Sequence, residues 1–257
     1  MRRWVRSVGS ARLALAGGFG PTYNLGVTNE AMKVSGRAST ISASVGDYLK
    51  AIWHIGQGQP VSTGDIAREL GVTAPSVTGM LGKLKRDGLI RYQPYRGAEL
   101  SDRGRSEAMR LIRRHRLLET FLISELGFGW DEVHEEAEQM EHVMSERFTE
   151  RLAEHLGQPA FDPHGDPIPR SDGSVPQAPD LPLSEAPEGD RFVVHRVLSQ
   201  EADVLAYVTS LGVVPGAVLR VVAREPSGDL LQARFEAGEL VALSRTLAER
   251  ILGSVAN

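Results

Sequence analysis

The chain contains no cysteine among its 257 residues. That excludes disulfide staples, thiolate metal sites and cysteine nucleophiles, so any metal ion has to be held by imidazole and carboxylate. Such a composition suits a reducing compartment, and the expected location is the cytoplasm. Long hydrophobic runs are also missing: nowhere do about 18 apolar residues follow one another, so no bilayer-crossing helix or membrane partner is expected and the chain reads as soluble. Neither sign of charge dominates, with 29 Lys+Arg against 33 Asp+Glu.

That near balance hides a segregation. Residues 37–110 carry 11 Lys+Arg against 7 Asp+Glu, whereas residues 111–156 carry 5 against 11. A basic module followed by an acidic one implies that the first meets a polyanion and the second meets cations. The length allows two or three domains. Residues 1–36 begin "MRRWVRSVGSARLALAGGFG". The apolar patch there is too short and too glycine-rich for a secretory signal, so the segment reads as a disordered extension with Met32 opening the functional chain.

Hydrophobic spacing predicts a first helix over 47–55, with apolar Leu49, Ile52, Trp53 and Ile55. A short helix ending at Leu70 follows, capped by Ser62 or Thr63, and after a Gly71 turn a second helix runs over 74–86 with Pro75 in its first turn. "LIRYQPYRGAELS" reads as a hairpin around 94–97. A long helix is expected over 102–125, and another from Asp131 to about Leu156. Eight of the 14 prolines lie in 158–187, which marks a linker. Beyond it, alternating β-branched stretches with one helix over 203–211 indicate a small barrel-like β domain.

A helix-turn-helix offers its second helix to the major groove, small polar residues first and cations further on. "TAPSVTGMLGKLKR" fits that order with Thr73, Pro75, Ser76 and Thr78, then Lys83, Lys85 and Arg86. Tyr92, Tyr95 and Arg96 of the hairpin add backbone contacts. Double-stranded DNA is the partner this pattern indicates.

Residues 134–142, "HEEAEQMEH", place two histidines and four glutamates in nine positions. At about 100° per residue, His134, Glu138, Glu141 and His142 fall at roughly 0°, 40°, 340° and 80°, one face, while Val133, Ala137, Met140 and Met144 form a separate apolar stripe. His115 and Glu119 repeat the four-residue spacing on the preceding helix, and Asp47 offers a carboxylate from the first. So many buried carboxylates repel one another unless a cation joins them. His54, His155, His164 and His195 lack partners at helical spacing and read as packing or surface residues; Trp53 reads as core, and Trp130 as packing at a helix start.

The stretches "GDYLKAIWHI", "APSVTGMLGKLKRDGLI", "RRHRLLETFL", "HEEAEQMEHVMSERF" and "HGDPIP" resemble successive landmarks of the diphtheria-toxin-repressor family of iron- and manganese-dependent bacterial repressors. The resemblance runs from about Ser44 to Asn257 and is strongest at "EHVMS". It implies a mainly α protein with a small β domain: a winged helix-turn-helix domain at 37–107, a helical metal-binding and dimerisation domain at 108–157, a Pro-rich linker at 158–188 and a C-terminal SH3-like β-barrel at 189–257. It also implies a homodimer on a palindromic operator, repressing metal-uptake genes.

By the same resemblance, Asp47, Glu138, Glu141 and His142 form a primary metal site. His115, Glu119 and His134 form an ancillary one, reached by Glu201 of the β domain. Two positions depart from the pattern. Val204 stands where iron-responsive members place a glutamine ligand, leaving Asp203 as a substitute, and Lys50 stands where two-metal manganese members have a glutamate. Asp47 and Glu138 replace a thioether and a cysteine of iron-responsive members, and these hard oxygens make manganese(II) the first expectation and iron(II) the second. A metalloenzyme is the weaker alternative, since the segment lacks His-Glu-x-x-His and paired Glu-x-x-His motifs. A winged-helix regulator controlled by an organic ligand is another.

Overall fold

Side-chain oxygens of Ser62, Ser101, Ser145 and Ser244 accept hydrogen bonds from the backbone N–H of Asp65, Gly104, Phe148 and Leu247. Each satisfies an orphan donor of a first turn, so four helix starts are written locally in the chain. The computed structural model describes residues 41–256 apart from 131, 180, 200, 226 and 227. The extension expected over 1–36 lies outside the described residues, as does Asp131.

Helices α1 (Ala43–Gly56), α2 (Thr63–Glu69) and α3 (Ala74–Arg86) precede a hairpin of β1 (Ile90–Gln93) and β2 (Gly97–Leu100). The hairpin pairs Ile90 with Leu100 and Gln93 with Gly97, and Val61 bridges to Ala98. Leu49, Ile66, Val77, Leu81 and Leu84 are fully buried in one core. Each such side chain contributes about 1.5–3 kcal/mol through removal from water. This core makes α1, α2 and α3 one body, so a displacement of α1 carries α3 with it.

Helix α4 (Asp102–Leu126) serves two cores. Its first half gives Ala108, Met109 and Ile112 to the N-terminal cluster. Its second half gives Leu117 and Leu118 to a second cluster with Ala137, Met144, Leu152 and Ile168. The single helix expected from 131 to about 156 is two, α5 (Val133–Glu141) and α6 (Glu146–His155). Ser145 is the reason: its Oγ caps Phe148 and its carbonyl accepts from Thr149, so a new helix starts there. Met140, assigned to the apolar stripe, is 39% exposed, whereas Val133 and Ala137 are fully buried.

The Pro-rich segment is irregular but bonded. Arg113 donates to the Pro169 carbonyl and Arg116 to that of Pro167, while Asp162 accepts from the N–H of His164 and Asp166. Gly165 has φ +85°, and a Cβ there would collide with the His195 carbonyl, so only glycine lets this strap lie against the β domain. Strands β3 (Leu181–Pro182), β4 (Arg191–Val197), β5 (Val218–Arg224), β6 (Leu230–Phe235), β7 (Leu240–Ser244) and β8 (Ile251–Ala256) form an antiparallel sheet in the order β3-β8-β4-β5-β6-β7. Helices α7 (Ala202–Ser210) and α8 (Arg245–Arg250) accompany it. Phe192, Val194, Leu219, Val221, Leu231 and Leu243 alternate inward to fill its core, in an SH3-like arrangement.

Candidate metal centre

Helices α1 and α5 bring Asp47, Glu138, Glu141 and His142 together, with one donor atom of each within 4.8 Å of all the others. His142 Nε2 lies 2.9 Å from Asp47 Oδ1 and 3.4 Å from Glu141 Oε1. Glycine is needed beside it: a Cβ on Gly46 would lie 3.0 Å from His142 Cε1 and 2.6 Å from Leu111 Cδ1. Lys50, one turn after Asp47, places its Nζ 2.6 Å from Glu138 Oε1 and 2.8 Å from Glu141 Oε1. Burial raises the Asp47 pKa, with His142 opposing. Burial would likewise raise Glu138, but the Lys50 ammonium prevails and holds it below its usual value.

Helix α4 presents His115 and Glu119 one turn apart, facing His134 of α5, and these three form a second cluster. His115 Nε2 is 3.0 Å from both Glu119 Oε1 and His134 Nδ1, and His115 Nδ1 is 2.7 Å from Glu141 Oε2. Glu141, with no exposed surface, therefore joins the two clusters. Burial disfavours the His115 cation, but Glu119 and Glu141 outweigh it and bring the pKa up to about 9. Glu119 is opposed by burial in the same way, yet His115, His134 and His164 hold its carboxyl well below the usual range.

A third cluster, unanticipated from the sequence, shares Glu119 and adds Asp162 and His164, all buried. His164 Nδ1 is 3.7 Å from Glu119 Oε2, its Nε2 is 3.2 Å from the Trp130 carbonyl, and its ring stacks on Trp130 at 4.9 Å. Burial, then Asp166 and Glu119, push the Asp162 pKa up to about 7. Of the packing or surface roles expected of His164 the structure gives packing, as an interior polar residue stacked on Trp130 that also faces two carboxylates. Helical spacing does not reach residues on an irregular strap; the Asp-x-His-Gly pattern was the available signal.

Glu201 does not reach these clusters. It is exposed, stands at the N-cap of α7 and pairs with Arg250 at 3.1 Å. Asp203 and Val204 line a separate groove with Tyr207, Leu247 and Arg250. His54 lines the cleft beside Lys50 and Arg116, and burial with Arg116 pushes its pKa down to about 4. His155 is exposed, and His195 bonds Ser254. Trp53 is only partly buried, under the Arg105 guanidinium at 4.8 Å.

Thr73, Pro75, Ser76, Thr78, Lys83, Lys85 and Arg96 are all exposed, on α3 and the hairpin turn. Thr73 and Ser76 hydroxyls lie 2.9 Å apart at the α3 start. Val77, Leu81 and Leu84 face inward between them, so the polar face of α3 is free for a groove.

The donor chemistry of the first cluster suits a divalent ion. Asp47 Oδ1 is buried yet makes no hydrogen bond, although His142 Nε2 is 2.9 Å away. Two Lewis bases that converge outside hydrogen-bond geometry are arranged for a shared cation, and three carboxylates with one imidazole suit a hard one.

Family models match along the chain: iron dependent repressor, N-terminal DNA binding domain, over residues 40–98; iron dependent repressor, metal binding and dimerisation domain, over 101–170; and FeoA domain over 181–255. The iron-dependent repressor IdeR of Mycobacterium leprae is 34% identical over 197 residues, 72% of this chain and 85% of the relative. The diphtheria toxin repressor of Corynebacterium glutamicum is 31% identical over 187 residues, 68% of this chain and 82% of the relative. A solved manganese-dependent transcriptional repressor in complex with manganese superposes with a TM-score of 0.76 at 38% identity, covering 82% of this chain and all of the other.

Proposed function

The chain belongs to the diphtheria-toxin-repressor family of metal-dependent DNA-binding repressors, and on that premise we propose that manganese(II), rather than iron(II), is its physiological activator. It is a repressor, not an enzyme. Asp47, Glu138, Glu141 and His142 are the activating ligands in this reading, and His115, Glu119 and His134 the ancillary ones, with Asp162 and His164 in the place expected of Glu201. Residues 37–107 form the DNA-binding domain, 108–157 the dimerisation domain, 158–188 the linker, whose last residues enter the sheet as β3, and 189–257 the rest of the SH3-like domain. The protein acts in the cytoplasm on metal-uptake genes.

One observation carries this reading: Asp47 belongs to α1, whose core side chains hold α3, while its neighbours in the cluster belong to α5. A divalent cation would be held by these donors from both helices at once. Asp47 then positions the DNA-binding body relative to α5. Exposed Met140, Val143 and Phe148 give the α5–α6 region an apolar face for the second copy. In a twofold dimer the two α3 helices must sit about 34 Å apart, one turn of duplex, which a palindromic operator matches. Thr73, Pro75, Ser76 and Thr78 meet base edges, and Lys83, Lys85 and Arg96 meet phosphates.

The test is operator selection from random duplexes followed by binding at fixed salt with manganese(II), iron(II), zinc(II) or chelator, for wild type and Glu138→Ala. Affinity should rise at least about tenfold with manganese in the wild type only. Equal affinity in manganese and chelator, or a larger gain with iron(II) than with manganese(II), overturns the proposal.

A further inference from the structure

Lys50 lies inside the first cluster rather than beside it. Its side chain is 12% exposed, and its Nζ is within 2.8 Å of one oxygen each from Glu138 and Glu141 of α5. Glu141 Oε1, one of those two, also lies 3.4 Å from His142 Nε2. The ammonium therefore occupies the position between Glu138 and Glu141 from which a cation would hold both. An ammonium offers three donors and no lone pair, so it neutralises carboxylates but cannot join a metal shell.

We propose that Lys50 is a tethered cation that competes with the metal: it holds the cluster together in the metal-free protein, sets a lower affinity for divalent ions, and confines the cluster to one of them. This rests on the reading of Asp47, Glu138, Glu141 and His142 as metal ligands. Three carboxylates and an imidazole crowd one shell. Without a counter-charge the carboxylates repel, and Lys50 removes that cost before any ion arrives. An incoming dication must displace the ammonium from two charge-assisted hydrogen bonds or accept it as a near neighbour, and either lowers the net gain on binding. Because the position between the carboxylates is filled, a second ion bridging Glu138 and Glu141 is excluded. Leu49 and Ala51 on either side of Lys50 are buried, which anchors this turn of α1 against its neighbours.

The experiment titrates full-length protein with manganese(II), following heat and the free-ion electron paramagnetic resonance signal, in a His134→Ala background that disables the second cluster. Melting in chelator is recorded in parallel. Lys50→Met, which keeps the length of the chain and removes the charge, should bind manganese at least about tenfold more tightly than the background protein and melt at a lower temperature in chelator. Lys50→Gln serves in its place should the methionine variant not fold. Lys50→Arg, which retains the charge, should keep the background affinity within about threefold. Lys50→Glu should take up one further manganese per chain, with the exchange-broadened spectrum of a close pair. Unchanged or weaker manganese binding by a folded neutral variant, with no added ion in Lys50→Glu, overturns the inference. No saturable binding by any protein, the background included, overturns the ligand reading instead.

Discussion

Glu141→Gln tests the connection between the two clusters most directly. The Glu141 carboxylate has no exposed surface, receives Lys50 Nζ at 2.8 Å on Oε1 and meets His115 Nδ1 at 2.7 Å on Oε2. Glutamine keeps the shape, removes the charge and turns an NH2 group toward one of two cationic partners. Breaking a buried ion pair by removing one partner costs about 3–5 kcal/mol, of which the retained amide oxygen recovers roughly 1 kcal/mol. A net loss of about 3 kcal/mol should lower the melting temperature of metal-free protein by roughly 6–12 °C for a domain assembly of this size. The assay is calorimetry in chelator at pH 7, with exposed Glu135→Gln on the same helix as a control that should not move. Manganese titration then reads both clusters: binding at the first is lost, and binding at the second weakens about 10–100-fold because His115 loses the carboxylate that orients it. A variant that melts with the wild type in chelator and still fills both clusters would refute the argument.

Three other outcomes are expected. His115 has its folded pKa raised to about 9 above an unfolded value of 6.5, so its contribution is complete below about pH 6.5 and is lost as pH rises through 9. Metal-free protein should therefore melt at lower temperature from pH 6.5 to 9 while manganese affinity at the second cluster increases; a melting temperature that rises over that window contradicts this. Lys85→Ala should weaken DNA binding across all sequences and reduce the slope of log K against log salt by about 0.9, whereas an unchanged slope means that Lys85 meets no phosphate. Gly46→Ala should push the His142 ring from its place and weaken manganese binding about tenfold without altering any ligand, as measured by titration.

Much of the molecule was legible because its instructions are local. The α3 bounds, the cap at Ser62, the hairpin and the inward alternation of the β strands follow from periodicity and turn chemistry within a few residues of each position. The same kind of signal, Ser145 three residues before Phe148, marked the break between α5 and α6, but an apolar spacing that continues across residues 140–144 concealed it. Helical spacing also grouped His134 with Glu138 and His115 with Glu119, since one turn of helix places such pairs on one face.

What lay beyond the sequence was distance across the fold. Nothing near residue 50 announces that Lys50 meets Glu138 and Glu141, 88 and 91 residues on, or that a strap without periodicity brings Asp162 and His164 to Glu119. The expected reach of Glu201 failed for the same reason, because its direction depends on how the β domain docks rather than on any residue beside it. Local sequence determined which elements form and which donors share a helix face, since those depend on bond geometry over a single turn. Tertiary packing alone decided which faces meet, and hence which charges share a low-dielectric shell, because that is the outcome of burying several separate hydrophobic stripes at once.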